Sequence, residues 1–65
     1  MALTFTLSGL KSNDDLNRLT TALMETDGIE TAQVALEWLE VEGKTSARAV
    51  IEIVEAQGFS VRRQG

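Results

Sequence analysis

The sequence predicts an α+β sandwich of order β-α-β-β-α-β, a four-stranded antiparallel sheet with two helices on one face. Three observations carry that prediction. Apolar residues alternate with polar ones at four places, which is the period of a half-buried strand. Two stretches between those places repeat their apolar residues at helical spacing. Gly9, Gly28, Gly43 and Gly58 fall at the joints, where the chain must turn.

Leu3, Phe5 and Leu7 alternate with Thr4, Thr6 and Ser8, so the first strand buries one face and turns a hydroxyl-rich face to water. Gly9 ends it, and Leu10 is an apolar plug in a polar loop. Ser12 followed by Asp15 has the S-x-x-D form of a capping box, in which each side chain meets the other residue's backbone N–H. Leu16, Leu19, Leu23 and Met24 form the buried stripe of the first helix, with Arg18 and Glu25 on the wet side. The helix is expected to stop near Thr26-Asp27 with Gly28 at its C′ position.

A second strand follows Ile29, with Ala32, Val34 and Leu36 on one face and Thr31, Gln33 and Ala35 on the other. Leu39 and Val41 alternate with Glu40 and Glu42 in a third. A two-residue hairpin at Glu37-Trp38 keeps the apolar side chains on one face, although Glu-Trp is poor turn chemistry. One long bent strand, or a bulge at Trp38, satisfies the same alternation. Gly43 through Ser46 turns into a second helix capped by Thr45 or Ser46. Its stripe is Ala47, Val50, Ile51 and Val54, with Ile53 part-exposed. Gly58 ends that helix, Phe59 and Val61 make the last strand, and Arg62-Arg63-Gln64-Gly65 is a basic tail. Both helices must cover one side of the sheet. Right-handed crossovers then give the ferredoxin-like topology, with strands in the spatial order 4-1-3-2.

Sixty-five residues make one small domain, expected to span 1–65. The 43% hydrophobic and 25% charged composition is that of a globular chain. With no Cys and no His, thiolate and imidazole ligands are absent, and so is their catalytic chemistry. Tyrosine is also absent and no base stands beside Ser12, so no enzyme activity is expected. A formal charge of −4 and three aromatic residues argue against nucleic acid. The N-terminal residues have neither a basic head nor a long apolar run, so neither a signal peptide nor a membrane span is expected and the cytoplasm is the default.

The chain resembles the heavy-metal-associated domain family of copper chaperones, mercury-binding proteins and the N-terminal modules of copper-pumping ATPases. Leu7-Ser8-Gly9-Leu10 is similar to the family's V-x-G-M entry to the metal loop, and Leu23 through Gly28-Ile29 to the L-x-x-x-x-G-V exit of its first helix. Val50-Ile51, Val54 and Gly58-Phe59 are similar to its L-I-x-x-I-x-x-x-G-[YF] ending. The family's metal loop reads G-M-T-C-x-x-C. Gly9 through Asp15 lies over it without a gap, with Leu10 for the methionine and Ser12 and Asp15 for the cysteines. The segment from Val34 to Gly58 is also several residues shorter. The resemblance implies the scaffold, and Phe59 corresponds to an aromatic that packs beneath the loop in bacterial members of the family; in this chain it is read as a core residue. Copper(I) or mercury(II) binding does not carry over, because a hydroxyl and a carboxylate are hard ligands.

Ser12, Asp14 and Asp15 are the candidate metal residues, for weak binding or for a ligand set completed by a partner. A hard cation takes about six oxygens, and this loop offers two carboxylates and some carbonyls. Helix capping explains the same residues without a ligand, so no cofactor is expected. The candidate interaction surface is Trp38 with Glu37 and Glu40. Trp38 is either a surface anchor of the kind found at binding hot spots or a cover over an edge of the core. Thr4, Thr6, Ser8, Gln33 and Ala35 share the open sheet face, on which such domains dock on each other or on a larger protein. The function these features imply is a small soluble binding or adaptor module linked to metal homeostasis, with a protein partner or self-association. The alternatives are the metal reading and a structural domain without a ligand.

Overall fold

A computed structural model describes residues 2–64. The alternation at the N-terminus becomes β1 (Ala2–Ser8), in which Phe5 and Leu7 are buried while Thr6 between them is exposed. Then come α1 (Asn13–Met24), β2 (Ile29–Val34), β3 (Trp38–Gly43), α2 (Ala47–Ala56) and β4 (Ser60–Gln64). The strands lie in the order β2-β3-β1-β4 and every pairing is antiparallel, so β1 is central. The fold and strand order are those expected from the sequence.

Eight side chains are fully buried between sheet and helices: Phe5, Leu7, Leu39 and Val41 from the strands, Leu19 and Leu23 from α1, Val50 and Val54 from α2. No polar side chain among the described residues is buried with them. Leu10 closes one end of this core and Ile29 the other. Ile29 and Ala32 lie three apart yet both face inward, because the register shifts by one residue between Ile29 and Thr31.

Helix ends follow their caps. In α2, Ser46 Oγ accepts the Ala49 N–H at 3.2 Å. At its other end Phe59 N–H bonds Val54 O at 3.2 Å and Gly58 N–H bonds Glu55 O at 3.0 Å, the two bonds of a Schellman motif. Gly58, at φ +89°, supplies the positive dihedral that the motif needs. In α1 the expected Gly28 cap is replaced. The helix ends at Met24 with Glu25 as its C-cap, the Glu25 N–H bonding Thr21 O at 3.0 Å and the Thr26 hydroxyl donating to Ala22 O at 2.9 Å. Gly28 serves instead the tight turn that Ile29 N–H closes on Thr26 O at 3.3 Å.

Four further expectations are corrected. The hairpin turn is Leu36-Glu37, not Glu37-Trp38: Ala35 and Trp38 exchange backbone bonds across it, and Val34 lies opposite Leu39. Moving a two-residue turn by one position slides the pairing by two residues, which leaves every side chain on its face. The alternation therefore could not choose between the two, whereas Leu7 N–H, bonding Glu37 O at 2.9 Å, fixes the observed one on β1. Leu36 leaves the strand in consequence and is 47% exposed. Met24 is 49% exposed rather than buried, lying about 100° around the helix from Leu23 and at its last residue. The supposed tail is strand, since Arg62, Arg63 and Gln64 complete β4; Gly65 lies outside the described residues.

Candidate functional site

The β1–α1 loop, the β2–β3 hairpin and the turn after α2 share one end of the sandwich, as the topology requires. Leu7, Glu37 and Phe59 mark that end. Gly9, at φ +102°, bends the chain out of β1, and a Cβ there would sit 3.5 Å from Phe59 Cα. Phe59 is thus buried directly under the loop, as the resemblance implied.

Ser12 is the N-cap of α1, its Oγ accepting the Asp15 N–H at 3.4 Å. The reciprocal bond is displaced by one residue from the expected box: Asp15 Oδ2 accepts from Lys11 N–H at 2.8 Å rather than from Ser12. Asp15 Oδ1 faces the Arg18 guanidinium at 3.4 Å. Arg18 in turn reaches the Gln57 carbonyl at 3.5 Å and lies over the Phe59 ring, 5.3 Å from its centroid. Both oxygens of the half-buried Asp15 are therefore engaged by cationic or N–H donors of the same chain. Asp14 is exposed.

Each contact is modest. A cap contributes about 1 kcal/mol, and an exposed cation–π pair about 0.5–1 kcal/mol. The Asp15–Arg18 pair, with Arg18 57% exposed, adds little once solvent screens it. Together they tie the loop to α1 and to the turn after α2. As a metal centre the donor set is poor. It has no thiolate or imidazole, so it does not suit a soft ion. A protein guanidinium already lies against Asp15, and no group of three or more His, Cys, Asp or Glu among the described residues is placed to hold a cation.

The sequence-predicted surface residues come together at the same end. Glu37 is in the turn, and Trp38 opens β3, 40% exposed on the open face beside Thr6. Glu40 follows two residues along the same face, beside Thr4 and Gln33. Across β1, Thr6 is also paired with Arg63 of β4, so Trp38, Thr6 and Arg63 form one row across the sheet. The open face thus carries carboxylates on β3 and a guanidinium on β4. Two elements of the site escaped sequence reading. Arg18 has the signal of an i,i+3 spacing from Asp15, but its reach to Phe59 is a tertiary fact. Leu36 gave no signal of exposure, because the apolar alternation of β2 runs on through it.

No protein-family model matches the sequence, and no curated protein does. Solved structures do match in fold. The chain is similar to the CopZ metallochaperone, with a TM-score of 0.89 and 21% identity over 94% of this chain and 98% of that one. It is similar to the N-terminal domain of PacS from Synechocystis, at 0.86 and 22% over 97% and 96%. It is also similar to the N-terminal domain of ZntA in its Zn(II) form, at 0.83 and 23% over 95% and 89%. Identities this low speak for the fold alone. No described helix is long and apolar enough to cross a membrane. The chain therefore has the fold of the heavy-metal-associated domains, built here on a sequence without cysteine.

Proposed function

We propose that this chain is a non-catalytic binding module of heavy-metal-associated type, acting in the company of metal-homeostasis proteins and docking on protein rather than carrying metal. The observation that carries this reading is the division of labour at one end of the sandwich. Asp15, at a ligand position of the resembled loop, is taken up by Lys11 and Arg18. At the same end Leu36 and Trp38 are each at least 40% exposed and flank Glu37. Two large apolar side chains left in water on so small a domain favour a protein contact, with the tryptophan as anchor and the carboxylates of Glu37 and Glu40 as its polar rim. Kinship in fold with a metallochaperone and with domains of PacS and ZntA supports the setting.

A photo-crosslinking residue tests the surface. Benzoylphenylalanine in place of Thr6, the neighbour of Trp38 on the open face, is expected to give a discrete protein adduct on irradiation in cells. The same residue in place of Glu52, on the exposed side of α2, is expected to give none. Equal labelling from both positions, or from neither, would contradict the reading.

A further inference from the structure

The open face is not uniformly charged, and its asymmetry has the form of a self-complementary surface. Thr4, Thr6, Trp38, Glu40 and Arg63 lie on it by register. Neighbouring strands are about 4.8 Å apart and successive same-face residues about 6.8 Å apart along a strand. Trp38 and Glu40 therefore stand on one side of β1 and Arg63 on the other. The Arg63 guanidinium and the Glu40 carboxylate are opposite charges lying diagonally across the central strand. A two-fold axis in the plane of the face, passing over β1 between Thr4 and Thr6, interchanges these two positions. It sets Arg63 of each copy over Glu40 of the other. The same operation carries Trp38 to a point between the second copy's Trp38 and Thr6, so the two indole rings meet near the axis.

We propose that the open sheet face docks on a second copy of this chain in an isologous dimer, with two Arg63–Glu40 pairs flanking a central Trp38 contact. This rests on the docking reading above and names its occupant. A single-signed face would repel its own copy; here the operation sets Glu40 of each copy over Arg63 of the other, while Glu42 lies farther along β3, away from the pairs. The dimer is weak. The whole molecule measures 28 × 22 × 17 Å, so one face is smaller than the ~800 Å² per partner of a standard interface. Half-association is expected at about 0.1–1 mM chain, strongest at low ionic strength because the flanking pairs are solvent-exposed.

The test is sedimentation equilibrium with charge-swapped variants. The natural chain is expected to show a concentration-dependent mass approaching twice its 7.1 kDa, with weaker association as salt rises. Glu40→Arg alone and Arg63→Glu alone each bring like charges together twice, and each is expected to weaken association about tenfold or more. Mixing the two variants restores both pairs in a heterodimer, so the mixture should associate again. A simple loss of folding cannot produce that rescue. A mass fixed at the monomer across the range, or a mixture no heavier than its separate components, overturns the dimer. The crosslink from position 6 separates this failure from that of the docking reading. An adduct at twice the chain mass supports the dimer. One of another mass keeps protein docking and overturns the second copy as occupant, and no adduct removes both.

Discussion

Phe5→Ala is expected to lower the unfolding free energy by about 3–5 kcal/mol, the cost of truncating a fully buried phenylalanine and leaving a cavity. Phe5 sits on the central strand, 1% exposed, and belongs to the same buried cluster as Leu19, Leu23, Val50 and Val54 of both helices. No single element can move in to fill the space without leaving the others. At about 0.05–0.15 kcal/mol per residue, a domain of this length has only about 3–10 kcal/mol to lose. The variant should therefore lose a large share of its stability, with a urea midpoint by circular dichroism far below that of the parent. Thr6→Ala, one residue along on the opposite face, is expected to stay within about 0.5 kcal/mol of the parent. If the two variants unfold alike, the assignment of the inward face is wrong.

Gly43→Ala is expected to cost about 3 kcal/mol or more, a second effect of that size from a single methyl group. Gly43 ends β3 at φ +141°, a backbone conformation that an L side chain rarely adopts. A Cβ there would collide with the carbonyl oxygen of Gly28 and come within 2.7 Å of the Glu30 nitrogen and 3.0 Å of Ile29 Cα. All three are backbone atoms of the adjoining strand and turn, held by the Lys44 N–H bond to Gly28 O at 2.6 Å, so nothing flexible can give way. Gly58 separates the two causes. It has φ +89° but open space around its missing Cβ, so Gly58→Ala carries only the dihedral strain, about 1 kcal/mol. Chemical denaturation of both variants should rank them in that order. Equal losses would mean that the approach of Gly28 to Gly43 does not matter.

Most of the fold is legible in the sequence because period and punctuation agree. Phe5-Thr6-Leu7, Leu19 with Leu23, and Val50 with Val54 each point the same way locally and globally. The hairpin is where such reading runs out. A turn at 36–37 and one at 37–38 both keep the alternation and differ in whether Leu36 is buried, and the backbone bonds of Ala35 with Trp38 and of Leu7 with Glu37 set the first. The helix caps were legible in part: Ser12 and Ser46 by type and position, but not the early end of α1 at Glu25, four residues before the glycine turn closes at Ile29. In the loop, the sequence places Ser12 and Asp15 at the helix start and reads the carboxylate as bonding the Ser12 N–H, one residue from the Lys11 N–H that it meets. The contact of Arg18 with Phe59 was not legible, because it spans 41 residues of chain and is made only when α1 and the turn after α2 come together.

Amide NMR on the untagged protein tests most directly the proposal that this loop is a closed helix start rather than a metal site. A tag of histidines would supply ligands that the chain lacks. Copper(I), zinc(II), nickel(II) and calcium(II) are added in turn while the resonances from Leu10 to Leu16 are followed. With Asp15 held by Lys11 and Arg18, the expected result is no saturable shift at these residues with any of the four ions. Saturable shifts confined to Leu10–Leu16, reaching a plateau at one equivalent, would show that Ser12, Asp14 and Asp15 do take a cation and would contradict the account.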